Sequence, residues 1–152
     1  MRHEQILDFM RGYRYAVEAS VSPSGGAQAA VVGIVVTDDF EIFFDTLTET
    51  RKAQNLRRNR AIALVIGGTA GGDERSVQYE GIVDEPEGAE LERLQTLYFR
   101  RFPDGIERQS WPGLIYLRAR PTWVRYSDFS REPPEIVELN AQQLLGDGNV
   151  RP

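Results

Sequence analysis

Thr46-Leu47-Thr48-Glu49-Thr50-Arg51-Lys52-Ala53-Gln54-Asn55-Leu56-Arg57-Arg58-Asn59-Arg60 follows two strand-like runs and decides how the rest of the chain is read. Five of the ten residues from Arg51 to Arg60 are basic (Arg51, Lys52, Arg57, Arg58, Arg60), with no acid among them, in a chain of net charge −5. The positive island is therefore local and not a drift of composition. A threonine-rich turn leads into a short helix over roughly Arg51–Arg58, with Thr48 or Thr50 as its N-cap. The helix dipole disfavours cations at its start unless an anion is present, yet Arg51 and Lys52 stand there. Free backbone N–H groups, hydroxyls, the dipole and two cationic side chains can converge on one phosphate dianion. Arg57 and Arg58 fall in the last turn, where the dipole favours them, and read as structural.

Upstream of this stretch, Phe40–Asp45 places Phe40, Ile42 and Phe44 on one face of a strand, and Thr37-Asp38-Asp39 turns into it from the β-branched run Ala29–Val36. Tyr15–Val21 alternates as a strand and is separated from that run by the turn Ser22-Pro23-Ser24-Gly25-Gly26. Before it, Ile6, Phe9, Met10 and Tyr13 give a short N-terminal helix its apolar stripe. Downstream, Ala61–Ile66 is almost wholly apolar and reads as a strand buried on both sides. A Gly-rich hairpin, Gly67 to Glu74, joins it to a strand over Val77–Val83. Asp84–Arg101 reads as a helix capped by Asp84, with Leu91, Leu94, Leu97 and Tyr98 as its stripe and Phe102-Pro103-Asp104-Gly105 as its stop. Leu114–Ser127 is a long strand that Pro121 marks as an edge or a bulge. The fold class this predicts is mainly β (α+β): six antiparallel strands closing a small barrel, with short helices over its openings. An open sheet with helices on one face competes with it. The domain spans residues 1–130. Residues 131–152, with Pro133-Pro134 and Gly146-Asp147-Gly148, read as a partly ordered tail.

Composition excludes several chemistries. A chain of 152 residues buries roughly two-thirds of its unfolded surface without needing staples. It has no cysteine and one histidine, His3, close to the N-terminus. Disulfides, thiolate nucleophiles, Ser–His catalysis and multi-histidine metal sites are thereby excluded or nearly so. No apolar run reaches membrane-spanning length and none resembles a signal core, so a cytoplasmic protein without membrane contact is expected. The acidic pairs Asp38-Asp39, Asp73-Glu74 and Asp84-Glu85 sit at turns or caps and carry no assigned chemistry. Of Tyr79 and Glu80, alternation lets only one point at a site. A nucleic-acid binder would need a more extended basic face than Arg51–Arg60 offers.

Ala27-Gln-Ala-Ala-Val-Val-Gly33, Phe43-Phe-Asp-Thr46, Thr50-Arg-Lys-Ala-Gln-Asn-Leu-Arg-Arg-Asn59, Ala63-Leu-Val-Ile66 and Gln78-Tyr-Glu-Gly81 together carry a resemblance. From about Leu7 to Tyr126, in order and spacing, the chain resembles the pyridoxamine 5′-phosphate oxidase-like proteins, the FMN-binding split β-barrel group. The most specific piece is the Thr-Arg-Lys-x-x-Asn-Leu segment after two hairpin strands.

The resemblance implies a homodimer holding FMN in a groove between subunits and acting as an oxidoreductase on a small molecule by hydride transfer through flavin N5. Arg51 and Lys52 would bind the FMN phosphate, with Thr50 adding a hydroxyl or backbone bond. Ala29, Ala30 and Val31 would lie along the isoalloxazine edge, and Asp45 and Thr46 would frame the ribityl chain. Ser76 or Gln78 would approach from the strand beyond the Gly-rich hairpin, and Trp111 would stack near the flavin or wall the substrate pocket. The other late aromatics read as core or dimer contacts. The C-terminal Arg-x-His segment that binds substrate phosphate in true pyridoxamine phosphate oxidases has no counterpart, because no histidine follows His3. The fold and cofactor are thus implied while the substrate is left open. Two relatives of the same fold compete: an F420-dependent reductase, and a stress-related module that carries flavin without turnover.

Overall fold

The computed structural model describes residues 2–144. In chain order it comprises α1 (His3–Arg11), β1 (Tyr15–Val21), β2 (Ala27–Gly33), β3 (Val35–Val36), β4 (Ile42–Leu47), α2 (Arg51–Arg58), β5 (Ala61–Gly67), β6 (Arg75–Asp84), α3 (Gly88–Arg101), α4 (Gly105–Arg108), β7 (Leu114–Asp128) and β8 (Glu135–Asn140). All strand pairings are antiparallel, in the order β2-β1-β5-β6-β7-β4-β3, with β8 on the free length of β7. The protein is a mainly-β split barrel flanked by short helices.

The number of strands is eight and not six. One extra strand arises because the run Ala29–Val36 breaks at Ile34 into β2 and β3, which lie at opposite ends of the strand order. That break curls the sheet on itself: the single residue Ile34 carries the chain from one end of the strand order to the other. Gly33 makes it feasible, since a Cβ there would stand 2.8 Å from the ring of Phe102. The other extra strand is β8, which pairs from Trp123↔Asn140 to Asp128↔Glu135. Part of the segment expected to be a loose tail is therefore sheet; Gly146-Asp147-Gly148 lies outside the described residues.

The barrel core is built from the inward faces of the strands and closed at one end by α1, through Ile6, Leu7 and Met10. Outside β4, a second cluster of Val35, Phe43, Leu94, Tyr98 and Phe102 seats α3. This is why β4 is apolar on both faces: Ile42 and Phe44 point inward while Phe43 stacks parallel to Tyr116 beneath α3. Asp84 does not cap α3. It ends β6, and its carboxylate takes two bonds from Arg118 at 2.9 and 2.7 Å, so α3 begins four residues later at Gly88. Pro121 marks a bulge as expected: the β6–β7 register shifts between Glu80 and Gly81. Gly81 is needed there because a Cβ would meet the Arg120 carbonyl at 2.5 Å.

The strand β5 is not buried on both sides. Ile62, Leu64 and Ile66 face the core, while Ala61, Ala63 and Val65 are exposed. They continue an apolar outer surface across three strands, because Val17 pairs with both Val31 and Val65, and Ala19 with both Ala29 and Ala63. Among the described residues, no helix is long and apolar enough to cross a membrane.

Candidate functional site

Helix α2 is held in place by its own sequence. Ala53 and Leu56 are buried against the barrel, which fixes the helix face. Thr50 is the N-cap: its Oγ1 accepts from the Ala53 amide at 3.3 Å and donates to the Leu47 carbonyl at 2.8 Å. Thr46 Oγ1 lies 3.1 Å from Thr50 Oγ1 and ties the cap to the end of β4. From the far side, Asn55 Nδ2 donates to Ser20 Oγ at 3.1 Å and to Gln28 Oε1 at 2.8 Å, joining α2 to the β1–β2 hairpin.

Between the head of α2 and that hairpin lies an open cleft lined by Glu18, Ser20, Gln28, Ala29, Ala30, Thr50, Arg51 and Lys52. The first-turn amides of Arg51 and Lys52 have no acceptor within the helix. With the two cations they form an anion-holding corner that opens into a walled space, while the Thr50 hydroxyl and amide are both spent on the Leu47 carbonyl. The cationic groups of the last turn have other duties. Arg57 makes a two-bond pair with Glu85 at 3.0 and 2.8 Å, and Arg58 reaches Asn55 Oδ1 at 3.4 Å.

Of the residues the sequence singled out, Ala29, Ala30, Thr50, Arg51 and Lys52 meet in this cleft, and Thr46 touches it through Thr50. Asp45 points to the other side of β4. There it accepts from Tyr98 Oη at 3.0 Å and from Arg108 Nε at 2.9 Å, so its carboxylate is already engaged beneath α3 and α4. Val31 projects from the outer sheet face and is 66% exposed. Ser76 and Gln78 stand on β6, two strands from β1, and Trp111 sits half-exposed in the loop after α4.

Glu18 was missed by the sequence reading and is the most unusual group in the cleft. It is 0% exposed, and neither carboxylate oxygen has a hydrogen-bond partner. Burial lifts its carboxyl from an ordinary 4.5 to about 7, with the Lys52 charge pulling the other way. Its signal was present but inverted. In Tyr15-Ala-Val-Glu-Ala-Ser-Val21 alternation suggests Tyr15, Val17, Ala19 and Val21 as the inward face, whereas Ala16, Glu18 and Ser20 point inward. No group of three or more His, Cys, Asp or Glu among the described residues is placed to hold a metal ion.

A mainly-β split barrel with short flanking helices is the class that these elements define. Residues 3–128 match the family model described as pyridoxamine 5′-phosphate oxidase, and the chain belongs to that family. No curated protein is significantly similar to it in sequence. Among solved structures it is similar to a heme binding protein from Mycobacterium smegmatis, with a TM-score of 0.81 at 12% identity over 96% of this chain. The chain spans 61% of the length of that protein. It is also similar to a putative pyridoxamine 5′-phosphate oxidase from Listeria innocua, with a TM-score of 0.68 at 16% identity over 82% of this chain and 96% of the other. A third is HutZ, the heme storage protein from Vibrio cholerae, at 0.68 and 17% over 80% of this chain and 91% of the other. At such identities these likenesses show the fold alone.

Proposed function

We propose that the protein is an FMN-binding flavoprotein whose cofactor phosphate sits at the Thr50–Lys52 corner and whose ring extends along β2. The observation that carries this reading is the position of Thr50, Arg51 and Lys52 on the wall of a cleft that also contains Ala29 and Ala30. A solvated helix face would place the same cations against open water. The residues present fit a phosphate monoester: two amides without helical acceptors and two cations border one cleft, whose single acid, Glu18, is pushed towards its neutral form by burial.

When bound, FMN supplies the redox chemistry, exchanging a hydride with a small organic substrate or a nicotinamide at its N5. The chain's part is to hold and orient. Arg51 and Lys52 would fix the phosphate, Thr50 would orient the helix that presents them by capping it, and the β2 backbone beside Ala29 and Ala30 would face the ring edge. Hydride transfer at N5 needs no protein acid or base, which suits a chain with no cysteine and a single histidine at position 3. Because no Arg-x-His segment follows β7, pyridoxine phosphate is not the substrate we assign.

The apolar outer surface of β2, β1 and β5 supports a second element of the reading, a homodimer. Val31, Val17 and Val65 form one row across three strands, and Gln78 continues it on β6. Contiguous apolar surface of this kind marks an interaction site more often than a solvated face. A second copy seated there would bring its Gln78 towards the first.

Heme fits less well. Protein ligands to heme iron are His, Cys, Met or Tyr. Here cysteine is absent, His3 packs edge-on to Phe40 at 6.1 Å, Met10 is fully buried in the core, and no tyrosine among the described residues lines the cleft at α2, the exposed Tyr15 included. The test is a visible spectrum of freshly isolated protein followed by mass analysis of what heating releases. Absorbance and mass of FMN are expected. The deazaflavin mass of F420 would keep the phosphate corner and change the cofactor. Arg51→Ala with Lys52→Ala should give a folded, colourless protein, and full flavin content in that variant would overturn the assignment.

A further inference from the structure

Glu18 is the only charged residue of β1. A buried carboxylate without a partner is costly to ionise, and such groups tend to take a proton instead. Yet this one lines the cleft that holds Arg51 and Lys52. Its surroundings are otherwise uncharged. Strand β1 contributes Ser20, β2 contributes Gln28 and Ala30, and β5 contributes Leu64, the register partner of Glu18. The charges in the lining come from the head of α2 alone, and Lys52 is the one whose field favours the ionised carboxylate.

An anion arriving at the Thr50–Lys52 corner changes that balance twice. It neutralises the Lys52 charge that steadied the carboxylate, and it adds its own negative charge to the same poorly solvated space. Two negative groups sharing one site raise the proton affinity of the weaker acid. We infer that Glu18 is the selecting residue of this cleft: capture of a dianion at Thr50–Lys52 is coupled to uptake of one proton from solvent by the Glu18 carboxylate, so that neutral Glu18 admits the dianion and ionised Glu18 excludes it. The inference rests on reading the corner as a phosphate site. It adds that occupancy depends on pH through a residue outside the corner itself. The ordinary range of this coupling is physiological, because the carboxyl of Glu18 already stands at about 7.

Sulfate is the probe of choice. It is a dianion throughout the neutral range, whereas a phosphate monoester titrates near pH 6 and would add a dependence of the opposite sign. Titration calorimetry of sulfate into the whole protein, in buffers of differing ionisation enthalpy, counts the protons taken up. For the wild type, uptake approaching one proton is expected, with affinity falling about tenfold between roughly pH 6 and pH 8, the equivalent of one pKa unit. In Glu18→Gln both the uptake and the pH dependence should vanish, with sulfate bound at least as tightly above neutrality. Sulfate binding by the wild type without proton uptake overturns the inference and leaves the phosphate corner standing; this arm needs no variant to fold. Equal pH slopes in wild type and Glu18→Gln overturn it as well. Absence of sulfate binding at every pH overturns both the inference and the corner. Coupled sulfate binding without any FMN binding upholds the inference while removing the flavin reading.

Discussion

Asn55 Nδ2 donates to Gln28 Oε1 at 2.8 Å, and this bond joins the cationic helix to the strand that forms the opposite wall of the cleft. The same amide reaches Ser20 Oγ at 3.1 Å, so one side chain on α2 fixes both strands of the first hairpin. Asn55 is 4% exposed, and removing its amide leaves two polar partners without their donor in a site poor in water. Asn55→Ala should therefore cost about 1–3 kcal/mol of stability, the desolvation penalty of orphaned buried groups. It should also weaken cofactor retention more than stability alone explains, because Arg51 and Lys52 lose their fixed distance from β2. Urea denaturation and flavin dissociation measured on the same preparation separate the two effects. Unchanged values of both would show that the bond positions nothing.

What the sequence disclosed and what it concealed follow from one physical distinction. Local rules were legible. A threonine cap at 48 or 50, of which the structure takes Thr50, the bounds of α2, the Ser22–Gly26 turn and an edge or bulge at Pro121, which proves a bulge, depend on backbone chemistry within a few residues. The grouping of Arg51, Lys52 and the first-turn amides at the head of α2 was legible for the same reason, since they are contiguous. Facing was not legible. In β1 Tyr15, Val17, Ala19 and Val21 point outward and Ala16, Glu18 and Ser20 inward, because the outer face belongs to an extended apolar surface and the inner face runs from the core to the cleft. A period of two shows that the faces differ, but not which one is inside. An almost wholly apolar composition made Ala61–Ile66 look doubly buried, and the family resemblance set Asp45 beside the cofactor, whereas its carboxylate bonds are with Tyr98 and Arg108. Tertiary partners far along the chain decide such questions.

The placement of Asp45 is testable on its own terms. Its carboxylate binds Tyr98 and Arg108, and Arg108 binds Asp104 at 2.6 Å, so the group braces α3 and α4 against β4. Asp45→Asn should lower stability by about 1–3 kcal/mol, as expected for a largely buried charged bond that loses one partner. Flavin uptake should be unchanged, since the side chain lies across β4 from the Thr50 corner. A variant of normal stability that fails to take up cofactor would return Asp45 to the site.

The apolar row Val31–Val17–Val65 predicts a definite response to charge. Val17 pairs with both of the others, so Val17→Glu places a carboxylate at the centre of the proposed interface. An unpaired charge desolvated there costs several kcal/mol, enough to raise the dimer dissociation constant by on the order of 100-fold or more. Sedimentation equilibrium of wild type and variant reads this directly. The variant should stay folded as a monomer, because Val17 points away from the barrel core. Wild-type protein that is already monomeric at high concentration would remove the dimer from the reading.

Glu18 sets a stability profile whose sign is opposite to that of a carboxylate held by an ion pair. Burial raises its carboxyl from 4.5 to about 7 in the folded chain, with Lys52 opposing. Between those two values the native protein keeps a proton that the unfolded chain has released. Stability falls with rising pH wherever the native state binds more protons than the unfolded one. The contribution of Glu18 is therefore most favourable below about pH 4.5, declines through about pH 7 and is level above it. Glu18→Gln keeps the shape of the side chain and abolishes the titration. Across the window the variant should gain on the wild type by roughly 3 kcal/mol, each pKa unit being worth about 1.4. Urea unfolding of both proteins at about pH 5, 6, 7 and 8, without added anion, measures the difference. Parallel profiles would mean that the Glu18 carboxylate is as well solvated in the native state as in the unfolded chain, and the proton-coupled selection of anions would fall with it.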